Sequence, residues 1–168
     1  MTQRLLPHLA PAARIVAVTG GSHPRRFELD NLQGERRFEG LALYSHHKLV
    51  MMATMRALAR TLTAHTVNVC YPGRASTAMT QAVKAGDLPL LMRPIFPIFK
   101  LVTRDDGGRS AEKASRSSVH LASSTALTGV TGRYVDPRCR EVAWPAAVTG
   151  PDAAAVIARV AAVAGISG

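Results

Sequence analysis

The 168-residue chain is long enough for one domain with a real core and too short for two ordinary ones. Hydrophobic residues make up 47% and charged residues 19%, which excludes a chain too polar to fold. Lys+Arg 21 against Asp+Glu 11 leaves +10, a balance that suits acidic lipid headgroups or a phosphorylated ligand, or simply keeps the surface solvated. Aromatic residues are only 5%, with no aromatic-and-arginine platform for stacking bases, so no nucleic-acid partner is expected.

In chain order, residues 2–10 read as the end of a helix, and the start "MTQRLLPHLAPAAR" is too broken by Pro7 and His8 for a signal peptide. "RIVAVT" (14–19) is a β-branched run of the kind buried on both faces of a parallel sheet. "GGSHPRRFELDNLQGERRFEG" (20–40) is a long polar excursion. Residues 41–63 predict a helix, with Leu41, Tyr44, Lys48, Met52 and Met55 on one side and Leu58 and Leu62 continuing the stripe. "TVNVCY" (66–71) is a second strand, stopped by Pro72-Gly73.

Short helices follow at 76–84 and at 110–124, the latter opened by Ser110 as N-cap. Between them "LPLLMRPIFPIFKLV" (88–102) is the most apolar segment. It holds Arg93, Lys100, Pro89, Pro94 and Pro97 and falls short of the ~20 residues of a membrane span. A lid, a substrate-lining segment or a surface-lying helix fits it better. "GRYVD" (132–136) is a third strand, and residues 152–165 form a last helix with Asp152 as cap and Gly165 as stop. Strands alternating with helices indicate βαβ units and a parallel sheet, here of about three strands in a single domain over 1–168.

Cys70 and Cys139 are far apart without a CxxC, which argues against a disulfide framework or thiolate metal site and suits a reducing cytoplasm. His46 and His47 are adjacent, and the other histidines are scattered, so no metal site is expected. Arg14, Arg25, Arg26, Arg36 and Arg37 read as a solvated loop surface.

Chemistry concentrates in "LALYSHHKLV" (41–50). On a helix, Tyr44 and Lys48 share one face, with Cβ atoms roughly 5–6 Å apart. A free phenol titrates near 10, and a neighbouring ammonium favours its phenolate, which makes tyrosine a usable general acid/base. The spacing alone is equally met by a core tyrosine beside a solvated lysine.

Its setting decides more. "RIVAVTGGSH…LDNLQGERRFEGLALYSHHKLVMMATMRALARTL…TVNVCYPGRASTAMT…GVTGRYVD" resembles the short-chain dehydrogenase/reductase family, most closely its retinol-dehydrogenase-like branch, from Leu5 to about Gly165. The resemblance implies the C-terminal half of a Rossmann-like, doubly wound α/β fold, with the N-terminal cofactor-binding half missing. It implies Tyr44 as the proton-exchanging residue and Lys48 as the group that lowers its pKa and binds the nicotinamide ribose. It implies Pro72 and Gly73 as the turn beside the nicotinamide and Thr77 as a contact to the carboxamide or diphosphate of NAD or NADP. Residues 86–104 match the family's substrate loop, implying a lipophilic alcohol or carbonyl substrate.

Two departures stand out. The family's substrate-orienting serine falls on Gly20, which has no side-chain donor, and Ser22 is the better substitute than Thr19, which alternation aims to the other face. No G-x-x-x-G-x-G turn is present to hold a diphosphate at a helix N-terminus. The expectation is an oxidoreductase with little activity in this chain alone. The alternative is a non-catalytic interaction protein using its basic surface or a sheet edge. Without neighbouring strands, "RIVAVT" is expected to expose an edge, and Leu49, Met51, Met52 and Met55 to be partly uncovered, favouring a homo-oligomer or pairing with a separate N-terminal half.

Overall fold

The computed structural model describes residues 2–88, 90–104 and 109–165. After a short helix α1 (Thr2–Leu5), the β-branched run forms β1 (Arg14–Val18), and the long helix α2 (Gly40–Thr61) returns the chain to β2 (Thr66–Cys70). The two strands are parallel neighbours, in register from Arg14 opposite Thr66 to Val18 opposite Cys70. The chain then passes through α3 (Ala78–Ala82), α4 (Phe96–Val102) and α5 (Arg109–Ser123) to β3 (Tyr134–Val135), which lies parallel on the other side of β2. Two helices close the chain, α6 (Ala146–Thr149) and α7 (Asp152–Ala164). Sheet order is β1-β2-β3.

Helix α2 packs on one face with α6 and α7, and α5 packs against β1 and β2. This is the α/β, partial Rossmann-like arrangement expected from the sequence. The central strand β2 pairs on both sides, and Val67, Asn68, Val69 and Cys70 are all buried. Alternation sends Val69 into the core under α2 and Cys70 into a smaller cluster with Leu121 and Val135. Burial pushes the Cys70 thiol above its ordinary pKa, as for an inert packed cysteine. Asn68 is tolerated there because its amide is satisfied: Nδ2 donates to the Val130 carbonyl at 2.8 Å and Oδ1 accepts from the Arg133 N–H at 2.8 Å. On α5, Ala114, Ser117 and Leu121 form the buried stripe, and the two small residues bring the helix close to the sheet.

The structure corrects several expectations. The core face of α2 is Leu43, His46, Leu49, Val50 and Ala53, with Met52 beside it, rather than the stripe through Leu41, Tyr44 and Lys48. That stripe mixed two faces, because Tyr44 and Lys48 lie along the helix's site-facing flank. Leu62 lies just past the helix as its C-cap. Leu49 and Met52 are fully buried rather than partly uncovered, since Phe27 and Leu32 of the excursion and Val148 and Val156 of α6 and α7 cover them.

Helix α5 begins at Arg109, so Ser110 is inside it rather than its cap. Asp152 is the first residue of α7, whose N-cap is Pro151 with no side-chain bond. Arg14 is not a solvated loop residue. Its guanidinium donates to the carbonyls of Ser124 (2.7 Å) and Leu121 (3.4 Å) and to Thr128 Oγ1 (3.2 Å), satisfying the last carbonyls of α5. Arg36 and Arg37 pair with Asp30 and Glu39 on the excursion. No helix among the described residues is long and apolar enough to cross a membrane.

Candidate active site

The site forms where β1 ends. Thr19 extends the strand pairing by one bond, its N–H donating to the Cys70 carbonyl at 2.8 Å, and two glycines then release the chain. Only the second is bare for a steric reason. A Cβ on Gly20 would lie 3.7 Å from Tyr44 Cε1 and 3.8 Å from Lys48 Cγ, ordinary contact distances, so this position faces the pair on α2. A Cβ on Gly21 would fall 2.3 Å from Tyr71 Oη, so any side chain there would displace that ring. Tyr44 is 40% exposed, and the Lys48 ammonium lies 5.5 Å from the centroid of its ring. Lys48 Nζ also donates to the Val18 carbonyl at 3.0 Å, tying the helix to the strand end. The sequence-derived pair is thus brought to the C-terminal edge of the parallel sheet, where ligands bind in open α/β folds.

Ser22 is exposed, two residues beyond Gly20. It lines a cavity of about 380 Å³ with Leu41, Ala42 and Met92 on its apolar side and Glu28, Arg37 and Glu39 among its charged walls. Burial pushes the His23 imidazole below its ordinary pKa, against a smaller opposing effect of the Gly20 backbone. Met92 belongs to the apolar segment, which therefore closes one side of this space.

Pro72 and Gly73 follow β2 at the same sheet edge. Gly73 has φ +87°, and a Cβ there would also meet Pro137 Cγ at 3.3 Å, so glycine is required twice over. The rest of this loop is pinned from outside: the Ser76 N–H donates to Ser110 Oγ at 2.8 Å and Ser76 Oγ to the Thr103 carbonyl at 3.1 Å. Ser110 thus positions the loop instead of capping its helix. Thr77 is exposed just before α3 and accepts from the Gln81 N–H through its carbonyl at 2.9 Å.

The histidines carry a role that spacing did not disclose. His46 is buried, and its Nε2 accepts the Glu28 N–H at 2.9 Å, which leaves the ring neutral with its proton on Nδ1. His47 Nε2 donates to the Leu32 carbonyl at 2.6 Å. Asn31 braces the same excursion, its Oδ1 accepting from the N–H groups of Arg36 (3.0 Å) and Arg37 (3.1 Å). Residues 20–40 are therefore an ordered flap clamped to α2, and the clamp sets where Ser22 and His23 stand.

Burial, the largest effect, holds His46 below its ordinary value of 6.5, the Glu28 charge opposing it. The unfolded chain then binds more protons than the folded one below that value. Stability is full above pH 6.5 and is lost as pH falls through the depressed folded pKa. His23 adds to this in the same direction. A His46→Gln variant, which keeps an acceptor for Glu28, is expected to flatten the acid limb of a thermal-melt series from pH 7.5 to 5. An unchanged acid limb would show that His46 is not its source.

No protein-family model matches the chain. Over 140 residues, 82% of the chain, it is 32% identical to human (Homo sapiens) retinol dehydrogenase 14 and 31% identical to the mouse (Mus musculus) protein of that name. The chain spans 39% of the length of these curated relatives. The parallel βαβ core, the tyrosine and lysine at its C-terminal edge and this identity agree, and the chain belongs to the short-chain dehydrogenase/reductase family, in its retinol-dehydrogenase-like branch.

Proposed function

We propose that this chain supplies the acid/base and substrate half of an oxidoreductase acting on an alcohol or carbonyl of a lipophilic molecule with NAD or NADP. The observation that carries the reading is that Tyr44 and Lys48 both face the Gly20 position at the end of β1, where a Cβ would lie 3.7 and 3.8 Å from them. Tyr44 Oη gives its proton to the substrate oxygen in carbonyl reduction and takes one in alcohol oxidation. The Lys48 ammonium stabilises the phenolate left behind and offers donors to the ribose hydroxyls. Pro72 and Gly73 present backbone with little bulk to the nicotinamide, and the Thr77 hydroxyl contacts the carboxamide or diphosphate. The nicotinamide, when bound, supplies or accepts the hydride. The apolar side of the cavity beside Ser22, formed by Leu41, Ala42 and Met92, takes the apolar body of the substrate, with Glu28, Arg37 and Glu39 on its charged side.

These residues fit the nicotinamide end of the cofactor. The diphosphate end needs backbone amides at a helix N-terminus after a glycine-rich turn, and this sequence carries no such turn. Residues 1–168 by themselves are therefore expected to bind reduced cofactor with a Kd weaker than about 10 μM, or ~7 kcal/mol. Calorimetry checks this, and tighter binding would contradict it. The outer edge of β1 is where a dinucleotide-binding half would add its strands. An oligomer formed along that edge is the other partner expected there.

Gly20 also gives the test of the site. Its φ is not left-handed and a Cβ would make only ordinary contacts with Tyr44 and Lys48, so Gly20→Ser is accommodated and sets a hydroxyl beside the phenol. In the chain joined to a dinucleotide-binding half, Gly20→Ser is expected to raise kcat by stabilising the developing oxyanion. No gain, together with a large loss on Ser22→Ala, would assign the donor role to Ser22. The missing donor at Gly20 also favours a second reading, a non-catalytic interaction protein retaining the fold. In that case neither substitution changes any turnover.

A further inference from the structure

The flap between β1 and α2 forms neither helix nor strand, and side chains hold it to the core. Phe27 and Leu32 share one buried cluster with Leu49 and Met52 of α2. Two hydrogen bonds also cross to α2 through adjacent imidazoles, His46 with the Glu28 N–H and His47 with the Leu32 carbonyl. These bonds ask opposite things of their rings. His47 donates, a bond that a charged ring keeps, whereas His46 accepts, a bond that only a neutral ring can make.

The seat of His46 has no place for a charged ring. The side chain is 4% exposed, and Phe27 meets it edge-on with centroids 6.4 Å apart. A proton on Nε2 would oppose the Glu28 N–H at 2.9 Å, donor against donor. Nδ1 is buried without a hydrogen-bond partner among the described residues, so the ring's other donor gains no acceptor either.

The charges around the ring are otherwise engaged. On the flap, the Glu28 carboxylate accepts from Asn31 Nδ2 at 3.3 Å, Arg36 pairs with Asp30 and Arg37 with Glu39. His23 is itself held neutral by burial, and His47 on α2 disfavours a second charge beside it. The apolar segment brings Met92, with Arg93 Nε turned to the Leu88 carbonyl at 3.4 Å. The sheet side of the core brings two phenols, Tyr71 and Tyr134, and α6 and α7 bring Val148 and Val156. The Glu28 charge favours protonation of His46, and burial outweighs it.

We propose that His46 is an acid-sensitive latch: a proton on its Nε2 breaks the bond to Glu28 and releases the flap from α2 while the sheet stays folded. Ser22, Pro24, Asn31 and Arg37 are flap residues in the cavity wall, so the latch keeps that wall at neutral pH and dismantles it in acid. A ring that is neutral when the flap is closed and free to charge when it is open ties opening to pH. Opening is favoured as pH falls below the ordinary value of 6.5, by up to about tenfold per pH unit. The latch does not depend on what the cavity binds, so it stands apart from the oxidoreductase reading.

Amide hydrogen exchange of the full 168-residue chain tests it, followed by NMR from pH 7.5 to 5 and scaled to an unstructured chain at each pH. The Glu28, Arg36 and Arg37 amides are expected to be at least about tenfold less protected than Val69 in β2, with little dependence on urea, as in local opening. Their protection should fall several-fold per pH unit below about 6.5. His46→Gln keeps an acceptor without a titrating ring and should flatten that fall, whereas His23→Gln should leave it in place. The His46 ring signals of the unmutated chain give a reading independent of any variant, with a titration midpoint expected below 6.5. A midpoint at or above that value, protection indifferent to pH, or a fall abolished by His23→Gln and not by His46→Gln would overturn the proposal. So would flap amides as protected as Val69, because the chain would then open only as a whole.

Discussion

Tyr44→Phe, in the chain joined to a dinucleotide-binding half of its family, is expected to lower turnover by about 10²–10⁴-fold with cofactor affinity unchanged. The substitution removes one oxygen and leaves the ring that packs beside Gly20 and under the Lys48 ammonium. What is lost is therefore the proton and little else. Lys48→Met is expected to lower turnover and cofactor affinity together, because the proposed function gives the ammonium two tasks. It also removes the bond to the Val18 carbonyl, so part of its effect is looser seating of α2 on β1. Steady-state kinetics with varied cofactor separate the two variants. If Tyr44→Phe kept most of the wild-type rate, another group would be moving the proton.

Leu49→Ala should cost about 2–5 kcal/mol of folding stability, the usual range for a fully buried leucine whose cavity cannot collapse. Leu49 sits among Val69, Val148 and Val156, where β2, α6 and α7 meet α2. In a chain of this size each kcal/mol moves Tm by roughly 2–4 °C. Leu41→Ala, half-buried at the cavity wall, should cost less than about 1 kcal/mol. Denaturant titration of both decides which face of α2 holds the core. Equal losses would restore the stripe read from spacing.

The contrast between those two leucines shows where sequence reading succeeds and where it stops. Both pairing strands, the long crossover helix and the final helix were legible because β-branched runs and helical periodicity respond to burial itself. The face of α2 was not. It is apolar on more than one side, and Tyr44 and Lys48 lie on the flank facing the end of β1 rather than in the core, so spacing merged two faces.

The histidine clamp was hidden for a different reason. The partners of His46 and His47 are a backbone N–H and a backbone carbonyl 15 to 18 residues away, and main-chain groups leave no trace in composition. Arg14 was misread in the same way, its acceptors being two carbonyls and a hydroxyl more than 100 residues distant. Gly20 and Gly21 read alike in the sequence, yet one lies in ordinary contact with Tyr44 and the other is demanded by Tyr71. That distinction is purely geometric, and it separates the substitution expected to add a donor from the one expected to disturb the strand end.

Hydride transfer to a lipophilic aldehyde, followed by the absorbance of the reduced cofactor, tests the assignment of the β1 edge most directly. The protein is residues 1–168 joined behind a dinucleotide-binding half of the family, with cofactor binding confirmed first by calorimetry. Oxidation of the cofactor that depends on the aldehyde, and that Tyr44→Phe suppresses, is the expected result. A folded, cofactor-binding fusion that transfers nothing to any aldehyde tried, or one indifferent to the loss of the Tyr44 hydroxyl, would contradict it.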